Sequence, residues 1–335
     1  MLKDIVFLPE SQEHEIRSFI TDYEKGLNRF IFQTSGSTGP PKHLSFSKNQ
    51  LIVSAKNTIK FFKLHERNTF YLCLNINTVA AKMMLIRALV CGAKVVCGPV
   101  TKKIKLPEIF NIDFISLVPI QLEYLLSTSD LPLKNIIFLL GGAPISRDLV
   151  EVILKKDITC YQSFGMTETL SHVALRQISN PELPYAALDG IHFESNNGKL
   201  IIHYPQLQNE PIETNDEIEL VNDSQFYWKG RLDFVVNSGG TKIHPVEIEK
   251  RIHEHVGLTS IVFGIPDKIL GEQLVIAILG DETQAISKKK FKFLESHEIP
   301  KKFQWVKTFH YLANEKIDRI ITINECQYHE WREIL

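Results

Sequence analysis

Residues 34–42 concentrate groups that suit an anion. Thr34, Ser35, Ser37 and Thr38 supply hydroxyls, Gly36 and Gly39 free the backbone, and Lys42 adds a positive charge. Glycines let successive backbone N–H groups converge on one set of oxygens, so the segment reads as a phosphate cradle. It lacks the G-x-x-x-x-G-K-[ST] spacing of a Walker A loop. The plain alternative, a flexible surface turn, rarely joins so many donors to a Pro-Pro-Lys ending.

Four later stretches could complete a site. Gly141, Gly142, Ala143 and Pro144 close an apolar run, and small residues at the carboxyl end of a parallel strand leave room for a flat ring. Taken alone, Gly-Gly is more often a turn. Phe164, Gly165, Met166, Thr167 and Glu168 pair a carboxylate with an aromatic ring. That grouping could hold a divalent cation and cap a base, or Thr-Glu-Thr could open a helix. Gly230, Arg231 and Asp233 precede a polar loop with Ser238, Gly239, Gly240 and Lys242, then Glu247 and Glu249. The Arg/Asp pair could serve a ligand or a salt bridge. Asn314, Glu315, Lys316, Ile317, Asp318 and Arg319 form a charged loop near the end.

Apolar periodicity supplies the elements that must carry these stretches. Helical spacing covers 11–28, 47–63 (with Ser47 as N-cap), 78–91, 119–128 and 145–156, alternating with apolar strands at 28–34, 69–76, 93–98, 113–118, 135–142 and 158–165. That alternation predicts an α/β domain with a mainly parallel sheet. Short strands at 199–204, 216–221 and 226–230 predict a small β module over about 186–232. After Asp233 come a helix (246–255), two strands (259–267 and 272–280) and a second helix (288–297). The expected division is a large domain, 1–232, and a small α+β domain, 233–335.

Composition narrows the function classes. The chain has 335 residues, with 38 Lys plus Arg against 39 Asp plus Glu, a net charge of -1. Such a balance gives no global field for nucleic acid or an anionic membrane. The five cysteines, at 73, 91, 97, 160 and 326, show no C-x-x-C spacing. A disulfide framework or zinc ribbon is therefore not expected, and a reducing compartment is. The first residues lack a secretory apolar core, and no stretch reaches the ~20 apolar residues that span a bilayer. A cytoplasmic protein without membrane insertion is expected.

In order and spacing, the five stretches resemble the signature motifs of the adenylate-forming superfamily of acyl- and aryl-CoA ligases, luciferase-like enzymes and adenylation domains. The resemblance runs from about residue 30 to 320. Within it, 165–176, 80–89 and 139–146 are most similar to the o-succinylbenzoate–CoA ligases of menaquinone biosynthesis, here in an N-terminally shortened form. Departures are Asn215 where the motif has Gly before Asp216, Glu315 where it has Gly before Lys316, and a phosphate loop that begins only 34 residues in.

The resemblance implies a carboxylic acid, ATP with Mg²⁺, and coenzyme A as co-substrate, with a homodimer left open. It implies that residues 35–42 hold the β- and γ-phosphates, Thr167 contacts phosphate and Glu168 binds Mg²⁺. Adenine would lie between the 141–144 backbone and Phe164, and the ribose hydroxyls on Asp216 beside Arg231. Lys316 would bridge the substrate carboxylate and the α-phosphate. The small domain would then turn about Asp233, bringing Ser238, Gly239 and Gly240 to the pantetheine channel. For a dicarboxylic aromatic acid, His172 and Arg176, taken as one helical turn apart, and more weakly Lys82, are candidates to meet the acid. The run Lys288, Lys289, Lys290 and Lys292 could attract coenzyme A phosphates, although such runs are usually solvated faces. Alternatives are another aryl- or acyl-CoA ligase, a carrier-loading adenylating enzyme, or a catalytically silent nucleotide binder.

Overall fold

The computed structural model describes residues 4–33, 42–129, 131–281, 285–311, 317–326 and 330–335. Residues 34–41 and 312–316, with the candidate residues Thr34, Ser35, Gly36, Ser37, Thr38, Gly39 and Lys316, lie outside them.

The first fourteen strands are β1 (Ile5–Phe7), β2 (Arg29–Gln33), β3 (His43–Ser47), β4 (Thr69–Leu72), β5 (Lys94–Cys97), β6 (Phe114–Leu117), β7 (Ile137–Leu140), β8 (Thr159–Met166), β9 (Ser171–Gln177), β10 (Tyr185–Ala187), β11 (His192–Asn196), β12 (Lys199–His203), β13 (Ile212–Asn222) and β14 (Gln225–Arg231). Five helices are interleaved: α1 (Glu13–Glu24), α2 (Lys48–Phe62), α3 (Val79–Cys91), α4 (Pro119–Thr128) and α5 (Arg147–Lys156). Twelve of the strands form one sheet in the order β1-β5-β4-β6-β7-β8-β9-β10-β14-β13-β12-β11, while β2 and β3 form a separate hairpin. From β1 to β8 neighbours run parallel; from β8 onward they run antiparallel.

Strands β4, β6 and β7 are nearly all buried, which is why they read as unbroken apolar runs rather than as an alternation. Helix α2 begins with a capping box in which Ser47 accepts from Gln50 N and Gln50 reaches back to Ser47 N, satisfying two N-terminal donors. Helix α3 buries Ala81, Met83, Met84, Leu85, Ile86, Arg87 and Ala88. A helix apolar on nearly every side has to lie inside the domain; α3 carries one arginine there.

A second sheet follows, with β15 (Val236–Ser238), β16 (Thr241–Ile243), β17 (Ser260–Asp267), β18 (Gly271–Leu279), β19 (Lys302–Val306) and β20 (Arg332–Glu333), together with helices α6 (Pro245–Val256) and α7 (Arg319–Cys326). Ile248 and Ile252 of α6 bury against Ile276, Ile278, Phe291 and Phe303. The first sheet ends at Arg231, and a 3-10 turn, Leu232–Phe234, leads to the second.

Three expectations need correction. The segment after Glu168 is the strand β9, not a helix, and an irregularity in its pairing with β8 sets His172 opposite Gly165 but Arg176 opposite Gln162, on the other face of the sheet. The β module expected within the large domain continues its sheet, since β10 pairs β9 and β14. Residues 288–297 hold a single 3-10 turn, Lys288–Phe291, rather than a helix. A strand, β3, intervenes between the Gly-rich segment and α2, so that segment joins two antiparallel strands, with Gln33 opposite His43.

Candidate active site

A cleft of about 2280 Å³ opens between the large sheet and the side of the second sheet that carries β16 and α6. Gln33 and Lys42, which flank the Gly-rich segment, border it, as do Gly141, Gly142, Ala143 and Pro144 and the turn from Phe164 to Glu168. Asp216, Arg231, His172 and Arg176 border it as well.

The turn between β8 and β9 is built by Thr169. Its hydroxyl accepts from Met166 N at 2.9 Å and lies 3.0 Å from Met166 O and 2.6 Å from Ser171 O. Thr169 is wholly buried, so the Thr-Glu-Thr stretch is a stapled turn that leaves Thr167 and Glu168 at the cleft. Gly165 is dictated by the same turn: a Cβ there would stand 2.2 Å from Ser171 O and 2.5 Å from His172 Cα. Phe164 is edge-on to Phe226 at 5.1 Å and to Tyr185 at 5.7 Å, which fixes its ring, and it lines the cleft together with Gly141.

Asp216 is 5% exposed. It accepts from Trp228 Nε1 at 2.8 Å and from Arg231 Nη1 at 3.4 Å. Burial raises its pKa; the Arg231 charge and the Trp228 bond oppose that rise. Arg231 also pairs with Asp233, and Asn215 donates to the same carboxylate. One guanidinium thus ties strand β13 to the turn that leads into the second sheet.

The floor holds a residue that sequence reasoning missed. Arg87 of α3 is 1% exposed and donates to Ser171 Oγ at 2.8 Å and Thr58 Oγ1 at 3.1 Å. It lies 3.5 Å from His172 Nδ1, and His172 Nε2 meets Thr58 Oγ1 at 2.9 Å. Among the described residues no carboxylate pairs with it. Burial pushes the guanidinium down to about 9, which still leaves it charged at pH 7. Burial and then the Arg87 charge hold His172 well below its usual value, so the imidazole is neutral. The signal was available: Arg87 is flanked by apolar residues on both sides, Leu85 and Ile86 before it and Ala88, Leu89 and Val90 after it, so it has to be buried or break the pattern.

Other candidates land differently. Arg176 is engaged by Gln162 Oε1 at 2.8 Å and by Glu182, with its guanidinium 4.8 Å over Tyr185. Lys82 does not border the cleft; it lies over the Phe19 and Phe32 rings at 5.7 and 5.2 Å. Gly239 and Gly240, with φ of 58° and 81°, are the two central residues of the β15–β16 hairpin, where a tight turn needs positive φ twice. Of that loop Lys242 faces the cleft, and Ser238, Gly239 and Gly240 do not. Lys288, Lys289 and Lys292 line a separate hollow of about 290 Å³.

The donor set at Glu168 fits Mg²⁺. The ion takes one or two carboxylates and otherwise phosphate or water oxygens. Glu168 has no ion pair among the described residues, and Thr167 beside it adds a hydroxyl. Among the described residues no group of three or more His, Cys, Asp or Glu could hold a metal by itself. The five cysteines are free thiols, and no described helix is long and apolar enough to cross a membrane.

Residues 27–191 match the family described as AMP-binding enzyme. The 2-succinylbenzoate–CoA ligase of Staphylococcus epidermidis is 25% identical over 93% of this chain and 72% of its own length. That of Staphylococcus aureus is 28% identical over 86% and 65%, so the chain spans less than two thirds of that relative. Among solved structures, the acyl-CoA synthetase (AMP-forming)/AMP-acid ligase II-like protein of Dyadobacter fermentans is 32% identical, with 92% of each chain covered and a TM-score of 0.60. The O-succinylbenzoate coenzyme A synthetase of Bacillus subtilis, in complex with ATP and magnesium ion, shares the fold at 22% identity and a TM-score of 0.77, over 88% of this chain and 69% of that one. With the 32% identity to the Dyadobacter fermentans acyl-CoA synthetase-like protein over 92% of each chain and the family match over residues 27–191, the chain belongs to the adenylate-forming, AMP-binding enzyme family.

Proposed function

We propose that the chain is an AMP-forming acid–CoA ligase whose acid is 2-succinylbenzoate. The observation that carries the substrate is Arg87. A buried guanidinium, held among the described residues by two hydroxyls and a neutral imidazole, is costly unless an anion arrives. A monocarboxylic acid uses its one carboxylate in the reaction and leaves Arg87 unanswered. A dicarboxylic aromatic acid leaves one carboxylate free for it. The names of the staphylococcal relatives support the same acid.

The reaction follows from charge. A substrate carboxylate oxygen attacks the α-phosphorus of ATP, and the bond to pyrophosphate breaks. Repulsion between the anions opposes this approach, so the cleft must neutralise and align them. Lys42 and the adjoining Gly-rich segment hold the outer phosphates, and Glu168, with Thr167 beside it, would hold Mg²⁺, which would supply positive charge against the leaving pyrophosphate. Asp216, pinned by Trp228 and Arg231, accepts from the ribose hydroxyls, while the 141–144 backbone and Phe164 flank the base. Lys316 meets the charge that grows on the α-phosphate oxygens. In the second step the coenzyme A thiolate attacks the acyl carbon and AMP leaves, the thiol proton passing to solvent. Residues 233–335 turn about Asp233 between the steps, and Ser238, Gly239 and Gly240 line the thiol path.

The test is a panel of acids supplied with ATP, Mg²⁺ and coenzyme A, scored for acyl-CoA and AMP. 2-Succinylbenzoate should give the highest kcat/KM. Lys316→Ala should lose adenylation and keep most of the thioester step from supplied acyl-adenylate. Equal turnover of benzoate and 2-succinylbenzoate would remove the substrate assignment.

A further inference from the structure

Two motif residues have no part in the chemistry above: Glu249, in the stretch after the β15–β16 hairpin, and Arg319, three residues beyond Lys316. The fold brings them together. Arg319 Nη1 meets Glu249 Oε2 at 2.7 Å, with the two side chains 12% and 15% exposed. Strand β17 has β18 as its sheet neighbour, and at Val262 the pair serves the opposite edge. Val262 N donates to Glu249 Oε1 at 2.6 Å, and Arg319 Nη2 donates to Val262 O at 2.9 Å. The remaining face of the guanidinium lies 4.7 Å over the ring of Phe234, which ends the 3-10 turn joining the two sheets.

The chain on both sides of residues 312–316 is fixed nearby. Tyr311 and Ile317 form an isolated antiparallel bridge, and Asp318 N donates to His310 O at 2.8 Å. Arg319 is therefore where the segment leaving Lys316 is attached at once to the α6–β17 core and to the inter-sheet turn. Its planar fork suits this double duty, since one face can stack while two nitrogens hold a carboxylate and a carbonyl. A lysine could supply the charge but not the stack and the second bond together.

We infer that Arg319 is a positioning residue for the adenylation step: its contacts with Glu249, Val262 and Phe234 set the placement of Lys316 relative to the inter-sheet turn. This rests on the acid–CoA ligase reading. A residue that merely stabilises the small sheet would affect both half-reactions alike, whereas one that places Lys316 affects the half-reaction that uses it.

The experiment measures the two half-reactions separately in the full chain. Arg319→Met is expected to lower kcat for carboxylate-dependent ATP–pyrophosphate exchange at least tenfold, with KM for ATP within twofold. Thioester formation from supplied acyl-adenylate should change less than twofold. Arg319→Lys should recover part of the exchange rate, and Phe234→Leu should lower it about threefold in the same selective way. Equal losses in both half-reactions, or exchange unchanged by Arg319→Met, would overturn the inference while leaving the ligase reading intact. If Arg319→Met does not fold, the Phe234→Leu and Arg319→Lys variants decide, and the absence of any selective loss in them overturns it. A wild-type chain without exchange on any acid would overturn both.

Discussion

At the floor of the cleft Arg87 carries its charge among hydroxyls and a neutral imidazole, whereas at the rim Arg231 lies between the carboxylates of Asp216 and Asp233. Both are arginines beside strand ends of one sheet, yet their surroundings are electrically opposite. In the rim cluster the cation has its anions, Asp216 and Asp233, and Trp228 donates to one oxygen of Asp216. Such a cluster holds shape and offers its remaining lone pairs to neutral hydroxyls. In the floor cluster no carboxylate among the described residues pairs with the guanidinium, and in the proposed reading the substrate's second carboxylate does. A site that arrives satisfied is scaffolding for a ligand; a site that arrives short of one charge is a receptor for it.

The comparison can be broken from either side. The largest effect is expected at the floor. Arg87→Met should raise KM for 2-succinylbenzoate about 100-fold, the loss of a desolvated charge pair worth about 3 kcal/mol, with KM for ATP unchanged. The same variant should not lower the thermal midpoint, because it removes an uncompensated buried cation; calorimetry of the free protein checks this. A fall of several degrees would mean that Arg87 is structural. At the rim, Asp216→Asn should raise KM for ATP about tenfold, as expected for a hydrogen bond that involves a charged group, and leave KM for the acid alone. Trp228→Phe, which frees one lone pair of Asp216, should raise KM for ATP about threefold, measured in the same assay.

The smallest effect concerns pH. His172 is neutral in the fold because burial and the Arg87 charge depress its pKa. Below about pH 6.5 the unfolded chain takes a proton that the native chain refuses, so stability falls as pH falls, by up to about 1.4 kcal/mol per pH unit. Above pH 6.5 both states are neutral and the contribution is flat. Denaturant unfolding of His172→Gln should show a shallower decline between pH 6.5 and 5 than the natural chain. Parallel curves would show that the imidazole is not buried neutral.

Much of the parallel half of the sheet was legible. Strands at 69–76, 113–118 and 135–142 are buried on both faces, and the intervening helices carry apolar stripes, so periodicity and punctuation agree. The antiparallel half was less so. The stretch from His172 to Arg176 suits a helix by spacing alone; what decides otherwise is Thr169, which staples the turn and hands the chain to β9. Residues 288–297 read as a helix because phenylalanines recur among lysines, yet the chain turns after Phe291 to bury it against α6. Strand β1 is only three residues long and owes its existence to β5, a tertiary partner that no local window contains. The motif residues of the cleft were found from their order. Arg87 was passed over because charge in a helical run is ordinarily taken for a solvated face, and Trp228 because its role depends on a partner across the strand pair.

The most direct test of the central claim is carboxylate-dependent ATP–pyrophosphate exchange, run side by side with 2-succinylbenzoate and benzoate on the natural chain and on Arg87→Met. Exchange should be supported by 2-succinylbenzoate far better than by benzoate in the natural chain, and the preference should collapse in the variant. Exchange with neither acid, or a preference that survives the loss of Arg87, would contradict it.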